Sequence, residues 1–364
     1  MSQFHPLTVS QVRHETRDTI AVTFAVPPAL RASYAYQQGQ HLTLRAHIDG
    51  EDVRRSYSIC SAVQDDTLRV AIKRTQGGLF SSWAVDHLQP GAVLDVMPPS
   101  GHFNVPLDAA NRKHYLAFAA GSGITPILSI IKTTLAFEPH SRFTLFYGNR
   151  ASSSVIFREE LSDLKDVYLD RLRIAYVMSR EQQDIDLFNG RITQDKCTEF
   201  LRYWTRVDDV DVAFICGPED MMLGVSAALQ AAGMPKEAIK VELFLATGAT
   251  GANGPRKARA HAAMETGAHQ NTEVTVIMDG SATSFTMAQD QESLLDAGLR
   301  AGIDMRYSCK GGVCSTCRCK LVEGQVDMDI NYALEDYEVA RGFVLSCQSF
   351  PITGKVVLDF DQAE

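Results

Sequence analysis

Residues 304–325, DMRYSCKGGVCSTCRCKLVEGQ, hold four of the chain's eight cysteines within eleven positions, and residues 343–348, FVLSCQ, hold a fifth. Cys309, Cys314 and Cys317 are spaced C-x4-C-x2-C, and Cys347 follows after 29 further residues. In a reducing compartment such crowding reads as metal ligation or catalysis before it reads as disulfides. A loop that wraps a small inorganic cluster has to bring thiolates close while aiming backbone N–H groups at sulfur. Gly311 and Gly312 permit the tight backbone this requires. Cys319 fits no ligand position and is expected to pack beside the loop, while Cys60, Cys197 and Cys216 are scattered singly, as small buried residues often are.

The spacing is that of plant-type ferredoxins and assigns Cys309, Cys314, Cys317 and Cys347 to a [2Fe–2S] cluster. Zinc is the alternative occupant; its structural sites more often pair two C-x2–4-C knuckles or add histidines, and no second knuckle is present. Around the loop lie short strand patterns, TEVTVIMDG and ATSFTMA, and the helical ESLLDAGLRAG. The expected module is a β-grasp ferredoxin over 272–364.

Working outward, 364 residues exceed what one hydrophobic core usually organises. Hydrophobic residues at 45% and charged residues at 22% are ordinary globular values. No apolar run approaches the roughly 20 residues of a membrane helix, and MSQFHPLTVSQVRHE has no basic stretch before an apolar one. The expectation is a soluble cytoplasmic protein with no membrane segment. A net charge of −9 disfavours a nucleic-acid partner. From Asn271 onward stand 15 acidic and 7 basic residues, so nearly all the net charge falls on the cysteine-bearing module. That end is expected to dock a basic partner surface, or to be simply a solvated acidic face. Residues 247–271, TGATGANGPRKARAHAAMETGAHQN, lack apolar periodicity and read as a flexible linker.

Residues 1–108 contain short alternating segments (IAVTFAV, HLTLRAHI, LRVAIKR) separated by Gly, Pro and Asp, the pattern of an antiparallel β-barrel. Residues 109–246 alternate apolar strands (KHYLAFAA, RFTLFYG, LRIAYVMS, DVAFICG) with helical stretches, the pattern of an α/β domain with a parallel sheet. Two motifs stand in these regions. Arg55-Ser56-Tyr57-Ser58 offers phosphate-binding groups beside a planar ring, with GGLFSSW at 77–83. AAGSGITP, at 119–126, leaves a strand and opens a helix, so its glycines allow a pyrophosphate to approach the helix N-terminus; it is G-x-G-x-x-P rather than the full Rossmann fingerprint.

In order and spacing, R-x-Y-S, G-x-G-x-x-P and the later Cys216-Gly217-Pro218 resemble the signature of the ferredoxin–NADP reductase superfamily. With the C-terminal ferredoxin, the chain resembles oxygenase reductases, particularly the phenylacetyl-CoA epoxidase reductase family, through CKGGVC-TC-CK, NYALEDYE and VLSCQ. That resemblance implies an FAD site at Arg55, Ser56, Tyr57 and Ser58, extended by Ile72, Lys73, Gly78, Leu79 and Ser81. It implies a nicotinamide-nucleotide site at Gly121, Gly123, Thr125, Pro126, Cys216 and Gly217, with Phe244 beside the flavin ring. Ser58, Glu242 and Cys216 are the implied catalytic residues. Ser179-Arg180 and Arg191 resemble the 2′-phosphate contacts of NADPH-dependent members, the alternative being solvated loop arginines. The implied flow is NADPH to FAD to [2Fe–2S] to an oxygenase partner, a diiron phenylacetyl-CoA epoxidase. The alternatives are a Rieske-type oxygenase or a hybrid-cluster protein.

Overall fold

The computed structural model describes residues 4–244, 271–289 and 291–362. Its contacts divide the chain into two units, one comprising His5–Val53 and Tyr57–Ala246, the other chiefly Thr247–Glu364. The linker expected at 247–271 lies outside the described residues except for Asn271, which opens a strand.

The first unit begins with a six-stranded antiparallel sheet: β1 (His5–Thr16), β2 (Thr19–Ala25), β3 (His41–Ile48), β4 (Glu51–Ser58), β5 (Leu68–Lys73) and β6 (Val93–Val96), in the order β4-β3-β6-β1-β2-β5. Just past the end of β4, Ile59 bridges Val70 of β5, so the two edge strands meet and the sheet curls into a barrel. Alternation explains the packing: along β1, Leu7 and Val9 are buried while Thr8 and Ser10 are exposed. Helix α1 (Leu79–His87) adds Phe80 and Ala84 to the barrel core.

The second half of that unit is a five-stranded parallel sheet of β7 (His114–Ala120), β8 (Arg142–Asn149), β9 (Leu172–Met178), β10 (Val212–Gly217) and β11 (Ile239–Leu243), ordered β11-β10-β7-β8-β9. Strands β7 and β10 are buried almost throughout, as expected of strands covered on both faces. The connecting helices are α2 (Ile124–Phe137), α3 (Arg158–Val167), α4 (Gln194–Tyr203) and α5 (Glu219–Ala231).

A charged cluster ties barrel to parallel sheet. Both carboxylate oxygens of Glu160 on α3 accept from Arg69 of β5 at 2.8 Å, and Lys132 of α2 donates to Glu160 at 2.8 Å and to Asp65 at 2.5 Å. Burial alone raises the Glu160 pKa, but the Arg69 and Lys132 cations outweigh it and hold the carboxyl below its usual range.

His114, at the start of β7, sits between the Asp209 carbonyl (Nδ1 3.1 Å) and Thr144 Oγ1 (Nε2 2.9 Å). Burial and then Arg142 lower its pKa. The folded state therefore resists a proton that the unfolded chain accepts below about 6.5. Stability should fall as pH drops through that value. Urea unfolding of the intact chain between pH 7.5 and 5.5 checks this, and His114→Gln should flatten that part of the profile.

The C-terminal unit has β12 (Asn271–Met278), β13 (Ser281–Ala288), α6 (Leu294–Arg300), β14 (Arg318–Glu323), β15 (Val326–Met328), α7 (Asp336–Ala340), β16 (Phe343–Leu345), β17 (Ser349–Pro351) and β18 (Lys355–Asp359). Its main sheet runs β13-β12-β18-β14-β16, with β12 and β18 parallel, and α6 buries Leu294 and Leu295 against Val274, Val276 and Leu358. The cysteine loop lies between α6 and β14. No helix of the described residues is long and apolar enough to cross a membrane.

Candidate functional site

In the parallel sheet the chain starts at β7, builds β8 and β9 on one side, then crosses back to lay β10 and β11 on the other. The reversal between β7 and β10 leaves a crevice at the strands' carboxyl ends, where ligands of open α/β sheets bind. G-x-G-x-x-P and Cys216-Gly217 both lie there. Gly121 takes φ +54°, and a Cβ on Gly123 would stand 2.1 Å from the Cys216 carbonyl oxygen. The loop can therefore seat on the β10 end only without a side chain at 123. Thr125 Oγ1 donates to the Ser122 carbonyl at 3.0 Å, and Thr125 and Pro126 are buried in the first turn of α2. A 3-10 turn, Gly121–Gly123, leads into α2 and takes up the Ile124 amide through the Gly121 and Ser122 carbonyls, and this glycine turn at the helix N-terminus suits an anionic group.

Residues distant in sequence converge on this crevice. Ser58, the last residue of β4, donates from Oγ to Glu242 Oε2 at 3.1 Å, and Glu242 on β11 stands in register with Cys216 on β10. Cys216 is fully buried, and burial followed by the Glu242 charge pushes its thiol well above the ordinary range. Lys73, ending β5, has its ammonium 3.8 Å from where a Gly121 Cβ would stand. Phe244 packs on the domain core just past β11.

On the barrel, Arg55, Ser56 and Tyr57 lie on β4, with the Tyr57 ring 5.6 Å from Phe80. Gly78 caps α1, and the first-turn amides of α1, beginning at the exposed Leu79, form a second anion-binding end. The Ser81 hydroxyl is engaged within the loop, accepting from Thr75 N at 3.1 Å and donating to the Gly78 carbonyl, so it braces the cradle. Ile72 is wholly buried in the barrel core and offers no exposed side chain to a cofactor. A cleft of about 570 Å3 opens here between Gly77, Gly78, Trp83, His87 and His47.

Ser179 and Arg180 follow β9, and Asn189 bridges Met178, which brings Arg191 to the same end of the sheet. Both arginines are exposed. The neighbouring carboxylate, Glu181, is taken up by Ser152, accepting from its N at 2.8 Å and its Oγ at 2.5 Å. Exposed Arg150, whose carbonyl accepts from Arg180 N at 2.8 Å, adds a third guanidinium to this edge. Sequence spacing gave no sign of it, because the β8 and β9 ends meet only in the fold.

In the C-terminal unit the four candidate ligand cysteines lie together, Cys309 paired with Cys314 and Cys347 with Cys317, each thiol also feeling the charges of the other pair. Those contacts and burial raise Cys309 and Cys347 well above the usual thiol range. Among the described residues no three His, Cys, Asp or Glu side chains converge as a single-ion site. The Gly311 amide donates to Cys309 Sγ at 3.3 Å. Ser346, beside Cys347, is fully buried, and its hydroxyl has no partner among the described residues, a donor that fits a sulfur-rich neighbour. The left-handed positions of the loop are Lys310, Gly312 and Ser315; Gly311, expected from sequence to share that role, does not. A Cβ on Gly312 would meet the Ile330 carbonyl at 2.8 Å. Cys319 is buried on β14 with its thiol toward the Val344 carbonyl, outside both pairs.

Three family models match the chain in succession: an oxidoreductase FAD-binding domain over 6–105, an oxidoreductase NAD-binding domain over 118–227, and a 2Fe-2S iron-sulfur cluster binding domain over 276–351. The chain is 47% identical over 361 residues to one of the subunits of 1,2-phenylacetyl-CoA epoxidase of Escherichia coli (strain K12), covering 99% of each. It is 36% identical to the ferredoxin reductase component of 3-ketosteroid-9-alpha-monooxygenase of Rhodococcus rhodochrous, covering 97% of this chain and 96% of that protein. Phthalate dioxygenase reductase shares the fold, with a TM-score of 0.56 at 24% identity and 98% coverage of both chains.

Proposed function

We propose a specific role from the premise that this chain belongs to the family of oxygenase reductases that join FAD-binding, NAD-binding and 2Fe-2S modules in one polypeptide: it takes electrons from NADPH and passes them to a diiron phenylacetyl-CoA epoxidase in the cytoplasm. The relative with 47% identity over nearly the whole of both chains carries the choice of partner. When bound, the flavin supplies the conversion between two-electron hydride chemistry and one-electron transfer, and the cluster supplies the one-electron exit.

The protein's residues position and tune that chemistry. Tyr57 provides a flat apolar wall and Arg55 a cation for flavin phosphate. The amides of α1 receive the pyrophosphate, and the cleft beside them has room for the adenosine half of FAD. Gly121, Gly123, Thr125 and Pro126 present the N-terminus of α2 to the nucleotide pyrophosphate, with Lys73 as a nearby cation. Ser58 and Glu242, joined by a hydrogen bond, stand where a nicotinamide entering the crevice would meet the flavin. Cys216 and Gly217 keep that strand end narrow.

The preference for NADPH rests on the arginine edge. Arg180, Arg191 and Arg150 supply positive charge, while Glu181, the residue otherwise placed to bind ribose hydroxyls, is occupied by Ser152. A charged hydrogen bond to phosphate contributes about 1.5–3 kcal/mol. Arg180→Ala should therefore raise the KM for NADPH on the order of 10–100-fold and leave that for NADH nearly unchanged. Equal effects on both would defeat the assignment. For the partner, the purified chain should support NADPH-driven turnover by a diiron phenylacetyl-CoA epoxidase and little or none by a Rieske oxygenase. The reverse ranking would favour the Rieske reading.

A further inference from the structure

We propose that Arg318 and Glu338 form a buried charge pair that positions the Cys317 side of the cluster and sets its reduction potential. The inference rests on the cluster assignment. Arg318 follows the ligand Cys317 directly and lies on β14 opposite Leu345, two residues before the ligand Cys347. Its side chain is only 10% exposed, and that of Glu338 is 2% exposed, with Nε and Oε1 3.0 Å apart. The guanidinium also lies over the Phe343 ring, 3.8 Å from its centroid. The other oxygen of Glu338 accepts from the Glu335 amide at 2.9 Å, closing the first turn of α7.

The pair therefore joins the strand that begins just after Cys317 to the helix that ends a wrapping segment. That segment touches the cluster loop where Tyr332 N donates to the Gly312 carbonyl at 3.0 Å, and the turn after Cys347 where Asp329 N donates to the Gln348 carbonyl at 2.9 Å. Gln348 Nε2 in turn donates to the Lys310 carbonyl at 2.9 Å. Removing a partner from a buried ion pair leaves an uncompensated charge in a low-dielectric setting, so natural chains keep such pairs at a cost to stability. Packing alone does not call for a full charge beside a ligand. Electrostatics does, because cluster potentials follow the net charge and hydrogen bonding around the sulfurs. A cation there favours the more negative, reduced cluster; an anion opposes it.

The two charges predict opposite signs. In the full-length holoprotein, titrated anaerobically with the cluster followed by EPR, Arg318→Gln should lower the midpoint potential and Glu338→Gln should raise it. Arg318→Lys, which keeps the charge, should stay close to wild type. The neutral pair Arg318→Gln/Glu338→Gln leaves no lone buried charge and should fall between the single variants. A tenfold change in electron partition corresponds to 59 mV for this one-electron couple, and each single substitution is expected to shift partition by about that factor. Single variants moving in the same direction, or no movement, would overturn the proposal. Where Arg318→Gln does not retain its cluster, Glu338→Gln decides alone: an upward shift supports the pair, and a downward or absent shift refutes it. A wild-type protein purified with zinc and no EPR-active cluster would instead overturn the cluster assignment itself.

Discussion

Gly123→Ala should cripple electron entry while leaving the cluster module intact. The added methyl would stand 2.1 Å from the Cys216 carbonyl oxygen and 2.6 Å from its carbon, and both are backbone atoms of a strand buried on each face. No rotamer change relieves that overlap, so either the G-x-G-x-x-P loop or the end of β10 has to move. Displacing a positioning element by an ångström costs about 100-fold in rate, and overpacking a fixed site costs about 3 kcal/mol. The variant should therefore reduce ferricyanide with NADPH about 100-fold more slowly, with a lower melting temperature for the flavin-bearing unit. Ferricyanide is a useful acceptor because it can be reduced without the cluster. Gly121→Ala is a milder control, since only the φ of +54° opposes it and the nearest atom, Lys73 Nζ, is the end of a flexible side chain.

Cys347→Ser should have the opposite signature. One of the two thiol pairs loses a member, and a serine hydroxyl does not replace a thiolate as an iron ligand. Cys319 is no substitute: it is fully buried on β14, its thiol faces the Val344 carbonyl, and burial keeps it protonated. The cluster should be lost or fail to assemble. Delivery of electrons to an oxygenase should then fall by roughly 100-fold or more, while ferricyanide reduction, which depends on the other unit, should stay within about twofold of wild type. The two variants together separate entry from exit, which one rate measurement cannot do.

The contrast between these sites also explains which parts of the molecule were legible in the sequence. The 2Fe-2S module could be read because three of its cysteines share one loop, where spacing reflects geometry. The G-x-G-x-x-P turn could be read because strand, loop and helix follow one another locally. The Ser58–Glu242 contact joins residues 184 positions apart, and no spacing encodes it; the family resemblance pointed to both residues, and the fold supplied their meeting. The inward phase of β5, which buries Ile72 in the barrel core, appears only in the fold. Nothing in sequence shows that Glu181, beside Arg180, accepts from Ser152; only the fold brings the two together. Arg150 and the Arg318–Glu338 pair depend on neighbouring strand ends and on a helix folded back over the loop, so only coordinates reveal them. The glycines were read correctly as marking a tight loop, but its left-handed turns fall to Lys310, Gly312 and Ser315.

The chain is a reductase with FAD-binding, NAD-binding and 2Fe-2S domains, related over its full length to the reductase components of oxygenases. We propose that reducing equivalents enter at the crevice of the parallel sheet and leave through a two-iron cluster held by Cys309, Cys314, Cys317 and Cys347. The most direct test is anaerobic mixing of the holoprotein with NADPH, with flavin absorbance followed in time and the cluster then quantified by low-temperature EPR. Flavin bleaching should be followed by a reduced two-iron signal approaching one spin per chain, with the second phase absent in Cys347→Ser. Rapid flavin reduction in the wild type with no cluster signal would contradict it.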